Sequence, residues 1–262
     1  MSAYFREAGA GPAVVCLHSN ASTSGQWRAL MERLSDRFRV IALDAYGAGK
    51  SPDWPAGTRG WLDDELALLE PVLQRLSGAF HVVGHSYGAA VALKAALRHG
   101  ERVKSLALYE PTLFSLLLAQ DARHPAVQGI REAAQDAAAA VERGELEAAG
   151  ERFIDYWMGT GAWAAMPEAR RPAVAQSMRG IAYWAHALFN EPTPLSAFAR
   201  LDVPVLYMVG GRSPASSRGV FGVLSKRLPR VKVVELAELG HMGPVTHPDL
   251  VNRAIENHLG SA

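Results

Sequence analysis

The chain has a single cysteine, almost no net charge and no long apolar run. One cysteine cannot close an internal disulfide, and Cys16 lies inside the apolar stretch Ala13 to Leu17, where a thiol packs as a small hydrophobe. Lys and Arg number 27 against 26 Asp and Glu, which leaves a formal charge of +1. Such a balance supplies neither a basic face for nucleic acid nor an electrostatic anchor for an anionic membrane. No apolar stretch reaches the roughly 20 residues of a membrane span. Met1 to Glu7 lacks the basic and then apolar order of a secretory signal, so the expected setting is cytoplasmic. No Cys/His cluster has ligand spacing, and neither a metal nor an organic cofactor is implied. What remains is an ordinary globular composition, 49% hydrophobic and 20% charged, in 262 residues. That length suits one large domain with an insertion. A small, weakly charged molecule is the expected partner, and the oligomeric state stays open, a homo-oligomer included.

Runs rich in Val, Ile and Leu recur at Ala13 to Leu17, Val40 to Leu43, Val82 to Val83, Leu106 to Tyr109, Val205 to Val209 and Val231 to Leu236. Bounded by charged, Gly or Pro residues, they read as buried parallel strands. Helical patterns at Trp27 to Leu34, Trp61 to Leu76 and Ala89 to His99 alternate with them, so the expected class is α/β, a mostly parallel sheet flanked by helices. Tyr4 to Gly9 is a candidate edge hairpin strand. Between Pro111 and Arg200 the alternation stops and helical patterns take over, near Val127 to Met158, with a turn at Gly144, and Glu168 to Phe189. The expected division is a core of residues 1–111 and 200–262 with a helical cap of residues 112–199. The insertion holds Trp157, Trp163, Tyr183, Trp184 and Phe189, which either seal it against the sheet or wall an apolar pocket.

The sharpest local signal is Gly84-His85-Ser86-Tyr87-Gly88, which follows the strand ending at Val83 and opens a helix. A serine on so tight a strand–turn–helix bend is held in a strained conformation that lifts its hydroxyl clear of the sheet, and the flanking glycines leave room for neighbouring backbone. A serine hydroxyl needs an adjacent base, which is usually a histidine. His241, in Glu238-Leu239-Gly240-His241-Met242 directly after the last strand, reaches the edge where Ser86 projects. His247 reads as a starter of the final helix, and His18 and His85 as structural hydrogen-bonding groups. Asp44 precedes Gly47, Gly49, Lys50 and Ser51, but the spacing does not match a phosphate-binding loop, so a structural loop is expected.

Ser86 in its elbow, the late Gly240-His241 turn and His18-Ser19-Asn20 after the first long strand together resemble the α/β-hydrolase fold, over nearly the whole chain. The resemblance implies an oxyanion hole formed by the N–H groups of Asn20 and Tyr87. Ser19 stands where the family usually has glycine, which makes Ala21 the alternative to Asn20. Family members mostly carry the third triad member, an aspartate, in the loop after the strand at Val205 to Val209. Here that loop reads Gly210-Gly211-Arg212-Ser213-Pro214 and has no carboxylate. Asp202 and Asp249 are badly placed for the task. A subset of the family takes the acid from the end of the preceding strand, which in this chain is Glu110. Arg212 reads as a surface charge or as a partner of Glu110.

The expected chemistry is acyl transfer to water, with Ser86 as nucleophile, His241 as base and Glu110 orienting it. Phe114, Trp157, Trp184 and Met242 are expected to line an apolar substrate pocket. A serine at the elbow argues against the dehalogenases and epoxide hydrolases of this fold, which use aspartate. Carbon–carbon bond hydrolases, lactonases and cofactor-free perhydrolases stay open, as does a non-catalytic ligand-binding protein.

Overall fold

The Val-, Ile- and Leu-rich runs become strands because each is covered on both faces. Along Ala13–Leu17, residues 13, 15 and 17 join one hydrophobic cluster and residues 14 and 16 the other, on opposite sides of the sheet. A computed structural model describes residues 1–261. Its seven strands are β1 (Phe5–Ala8), β2 (Ala13–Leu17), β3 (Arg39–Leu43), β4 (Phe80–His85), β5 (Val103–Tyr109), β6 (Val205–Gly210) and β7 (Val231–Leu236). They form one sheet in the order β1-β3-β2-β4-β5-β6-β7. All pairs are parallel except β1 with β3. The expected α/β class is therefore the fold found. Only β1 differs: it is an edge strand as read, but it pairs Phe5 with Leu43 and Ala8 with Val40 of β3 rather than forming a hairpin with its chain neighbour.

The helices Arg28–Leu34 and Pro248–Leu259 pack on one face, and Leu62–Leu73 and Tyr87–His99 on the other. The first two bury Leu30, Leu34, Val251 and Ile255 against Val14, Val40 and Ala107. Between β5 and β6 the chain runs through the helices Pro125–Glu142, Leu146–Met158, Arg171–Ser177 and Ile181–Asn190, with shorter turns between them and no strand among these residues. Gly144, in the left-handed region, separates the first two of these, as its position predicts.

The register delivers the site. His85 is level with Tyr109, and Tyr109 with Met208, so β4 and β5 end together at the carboxyl edge, with β6 running two residues further. Ser86 N–H donates to Tyr109 O at 2.9 Å and Glu110 N–H to Met208 O at 3.1 Å, which carries the alignment one residue past each strand. Side chains on the following residues must emerge side by side, at the place where α/β sheets hold their ligands.

Candidate active site

Three non-glycine residues among those described have positive φ, namely Ala21 at 57°, Ser86 at 55° and Glu110 at 47°. All lie at the carboxyl edge of the sheet, one in each of the loops after β2, β4 and β5. Strain of this kind costs about 1–3 kcal/mol per residue and persists only where the surroundings over-determine it. At Ser86 the cause is visible. A Cβ on Gly88 would stand 2.3 Å from Leu17 O and 2.5 Å from His18 O, and one on Gly84 2.6 Å from Gly88 O. The helix Tyr87–His99 starts hard against β2 and β4, and only a sharp turn at residue 86 fits between them. The helix begins two residues earlier than its apolar pattern suggests, so Tyr87 N–H is its first free amide.

Ser86, His241 and Glu110 form one buried chain of hydrogen bonds. His241 Nε2 lies 2.9 Å from Ser86 Oγ and His241 Nδ1 lies 2.6 Å from Glu110 Oε2. Their exposures are 4%, 2% and 0%. The other carboxylate oxygen, Glu110 Oε1, accepts from Gly210 N–H at 2.7 Å and from Ser213 Oγ at 2.5 Å. Burial pushes the Glu110 carboxyl up, but the hydrogen bonds from His241, Ser213 and Gly210 outweigh it and hold the group below its ordinary range. Ser217 Oγ adds a contact to His241 Nδ1 at 3.2 Å.

The histidine turn is held from behind. Tyr109 OH donates to Gly240 O at 2.7 Å, and His85 Nε2 donates to His241 O at 2.8 Å while its Nδ1 faces Gln26 Nε2 at 3.2 Å. His18 Nε2 accepts from Ala45 N–H at 3.0 Å and its Nδ1 donates to Ser19 O at 2.6 Å. Both rings therefore do structural work, as their positions predict, and desolvation keeps both neutral by pushing their pKa values down. Asp44 is likewise structural: its carboxylate accepts from Ser24 N–H at 2.6 Å and Lys50 N–H at 3.0 Å, tying two loops together. The Asp202 side chain reaches Arg230, at 3.6 Å, and Asp249 lies in the first turn of the last helix with no hydrogen bond to His241. Arg212 is a surface charge that pairs with Glu238, not with Glu110. His247 stands at the start of the last helix, although its ring bonds Thr246 Oγ1 rather than capping the helix.

Asn20 and Ser86 share the lining of a small cavity with Phe114, Trp157 and Trp184, and Met242 lines a neighbouring larger one. Among the described residues no hydrogen bond takes up the N–H of Asn20 or of Tyr87. Trp157 does more than line a wall. Its indole stacks on the His241 imidazole at 3.9 Å between ring centroids and 22° between planes. Sequence reading missed Ser213, Ser217 and this stacking. Two serines after a strand carry no motif, and no periodicity tells which of several tryptophans meets the histidine.

The family model described as alpha/beta hydrolase fold matches residues 12–248. A pimeloyl-[acyl-carrier protein] methyl ester esterase of Chromobacterium violaceum is 29% identical over 268 residues, 99% of this chain and 98% of that one. A 2-(acetamidomethylene)succinate hydrolase of Mesorhizobium japonicum is 28% identical, over 97% of this chain and 90% of its own. Among solved structures, an alpha/beta hydrolase from Sphaerobacter thermophilus superposes with a TM-score of 0.74 at 27% identity, over 98% of this chain and 96% of that one. With strand order, elbow and family model in agreement, the chain belongs to the alpha/beta hydrolase fold family.

Proposed function

We propose that this hydrolase cleaves a small, mainly apolar ester through an acyl-enzyme on Ser86. The observation that carries the reading is the buried relay from Ser86 Oγ through His241 to Glu110, at 2.9 and 2.6 Å. His241 Nε2 takes the hydroxyl proton as Ser86 Oγ bonds to the carbonyl carbon. The carbonyl oxygen becomes an oxyanion and is met by the N–H groups of Asn20 and Tyr87, donors that are worth roughly 2.7–4 kcal/mol each at comparable sites. His241 then gives its proton to the leaving alkoxide as the tetrahedral centre collapses. Water attacks the acyl-enzyme by the same route and frees the acid and Ser86. Glu110, ionised throughout because its three donors hold it so, fixes the imidazole tautomer and offsets its positive charge. Residues 112–199 act as a cap that covers the reacting centre with apolar side chains such as Trp157 and Trp184 and shapes the space for substrate.

A fluorophosphonate probe tests the reading. It is expected to label Ser86, and Ser86→Ala is expected to lose both the adduct and ester turnover. A folded protein that takes no adduct and turns over no ester would reject it in favour of a ligand-binding role.

A further inference from the structure

Two unequal spaces meet beside Ser86, and the side chain common to both that also stacks on His241 is Trp157. The inner space has a volume of about 20 Å³ and is walled by Ser86, Phe114, Ile130, Phe153, Trp184 and Phe189 among others. That is room for the centre of little more than one water-sized group. The outer space, about 470 Å³, is lined by Met158, Met166, Val174, Met242, Val245 and Thr246 among others. It shares Ala21, Ser22, Arg170, Val174 and Val245 with a wide groove of about 1240 Å³ that touches neither Ser86 nor His241 and serves as a vestibule.

Asn20, Phe153 and Trp157 line both spaces. The junction thus contains the residue assigned to the oxyanion and the indole stacked on the base, so the scissile carbonyl belongs there. Proton delivery then decides which half of the substrate goes where. His241 Nε2 must reach the leaving oxygen, so the alcohol lies on the histidine side of Ser86. Met242, Val245 and Thr246, which follow His241 in the chain, line the outer space and not the inner one, whereas Ser86 lines the inner space and not the outer one.

Resting on the acyl-enzyme reading above, we propose that the enzyme takes esters of a short acyl group, of two or three carbons, with a larger and mainly apolar alcohol, and that Trp157 sets this asymmetry. The acyl methyl enters the inner space and ends against Phe114 and Trp184. The alcohol extends along the outer space toward the vestibule. Trp157 is fixed in the dividing position by the imidazole on one side and by Tyr156, edge-on at 4.9 Å. Tyr156 is itself tied to Ser216 by a 2.8 Å hydrogen bond, so the indole cannot swing without breaking that packing.

The test uses two isomeric esters of equal composition and reversed polarity, hexyl acetate and methyl heptanoate. Hexyl acetate is expected to show a kcat/KM at least about ten-fold higher, since each extra methylene that an apolar pocket rejects is worth a factor of that order or more. Trp157→Ala opens the two spaces into one and is expected to bring the ratio close to one, and Trp157→Phe to leave it near the wild-type value. Because the ratio is taken within one preparation, partial unfolding of a variant cancels. Methyl heptanoate hydrolysed as fast or faster by the wild type, or a ratio unchanged in Trp157→Ala, overturns the proposal while leaving the acyl-enzyme reading intact. No turnover of either ester together with no fluorophosphonate adduct at Ser86 overturns that reading itself, and the proposal with it.

Discussion

Glu110 is the residue to which the proposed mechanism gives the acid's role, and its surroundings explain how it could fill it. It leaves β5 with φ at 47°, which turns its carboxylate across β6 toward His241. The end of β6 and the loop after it, which has no carboxylate between Gly210 and Pro214, point Gly210 N–H and Ser213 Oγ at Glu110 Oε1. Glu110→Gln is expected to lower kcat by about 10³- to 10⁴-fold, as loss of the tautomer-fixing acid does in related triads, whereas Asp202→Asn and Asp249→Asn leave ester turnover near wild type. Equal effects of the three in steady-state assays would reject the assignment. Ser213→Ala removes a donor that lowers the Glu110 pKa, so the carboxyl should protonate at higher pH, which an NMR titration of the labelled Glu110 carboxyl carbon reads directly. In the Glu110→Gln background, Ser213→Asp is expected to restore part of the activity, because a carboxylate at 213 would start from the position of a group already 2.5 Å from the Glu110 carboxylate. No recovery in the double variant would show that Ser213 supports Glu110 without standing on the path to His241.

At the level of elements, the chain's own patterns announce most of the architecture. Residues 13–17 and 205–209 read as strands because unbroken apolar runs suit a sheet covered on both faces, and both fall within strands of the structure. The elbow is legible because Gly84 and Gly88 bracket Ser86 for a steric reason that operates locally. The partner of β1 is not legible: antiparallel pairing with β3 depends on contacts across the sheet edge, not on the turn beside it. The stacking of Trp157 is hidden for the same kind of reason, since it requires the helix Leu146–Met158 to meet a turn some eighty residues later in the chain. The elbow packing makes its own prediction. Gly88→Ala puts a methyl 2.3 Å from Leu17 O, a backbone atom that cannot step aside cheaply. It is expected to cost about 1–3 kcal/mol in urea unfolding, the usual penalty of overpacking, and to displace Tyr87 N–H enough to abolish most ester turnover. A Gly88→Ala protein with wild-type stability and kcat would show that the helix start tolerates a shift.

For the whole molecule, the buried titratable groups set how stability follows pH, and they pull in opposite directions. His18, His81, His85, His99 and His258 all have pKa values pushed down by desolvation, His81 to about 4. The unfolded chain binds protons at these sites below about pH 6.5 and the folded one does not, so their contribution to stability is present at neutral pH and lost on acidification. Glu65 acts the other way. It is buried behind the elbow, where its carboxylate accepts from Tyr46 N–H at 3.3 Å and Tyr87 OH at 3.2 Å, and burial raises its pKa from 4.5 to about 7. The folded state binds this proton more tightly than the unfolded one, so the contribution is fully present below pH 4.5 and disappears as pH rises through 7. Five histidines oppose one glutamate between pH 4.5 and 6.5, and the protein is expected to lose stability as it is acidified through that range. Glu65→Gln removes the opposing term. Relative to wild type it should be more stable at pH 8 than at pH 5 by up to about 3 kcal/mol, the linkage equivalent of the shift, and its acid-side slope should be steeper. Urea midpoints of both proteins measured at pH 5, 6.5 and 8 decide the matter: parallel curves would mean that Glu65 ionises in the folded protein as easily as in the unfolded chain, and that the hydrogen bonds from Tyr46 and Tyr87 fully offset its burial.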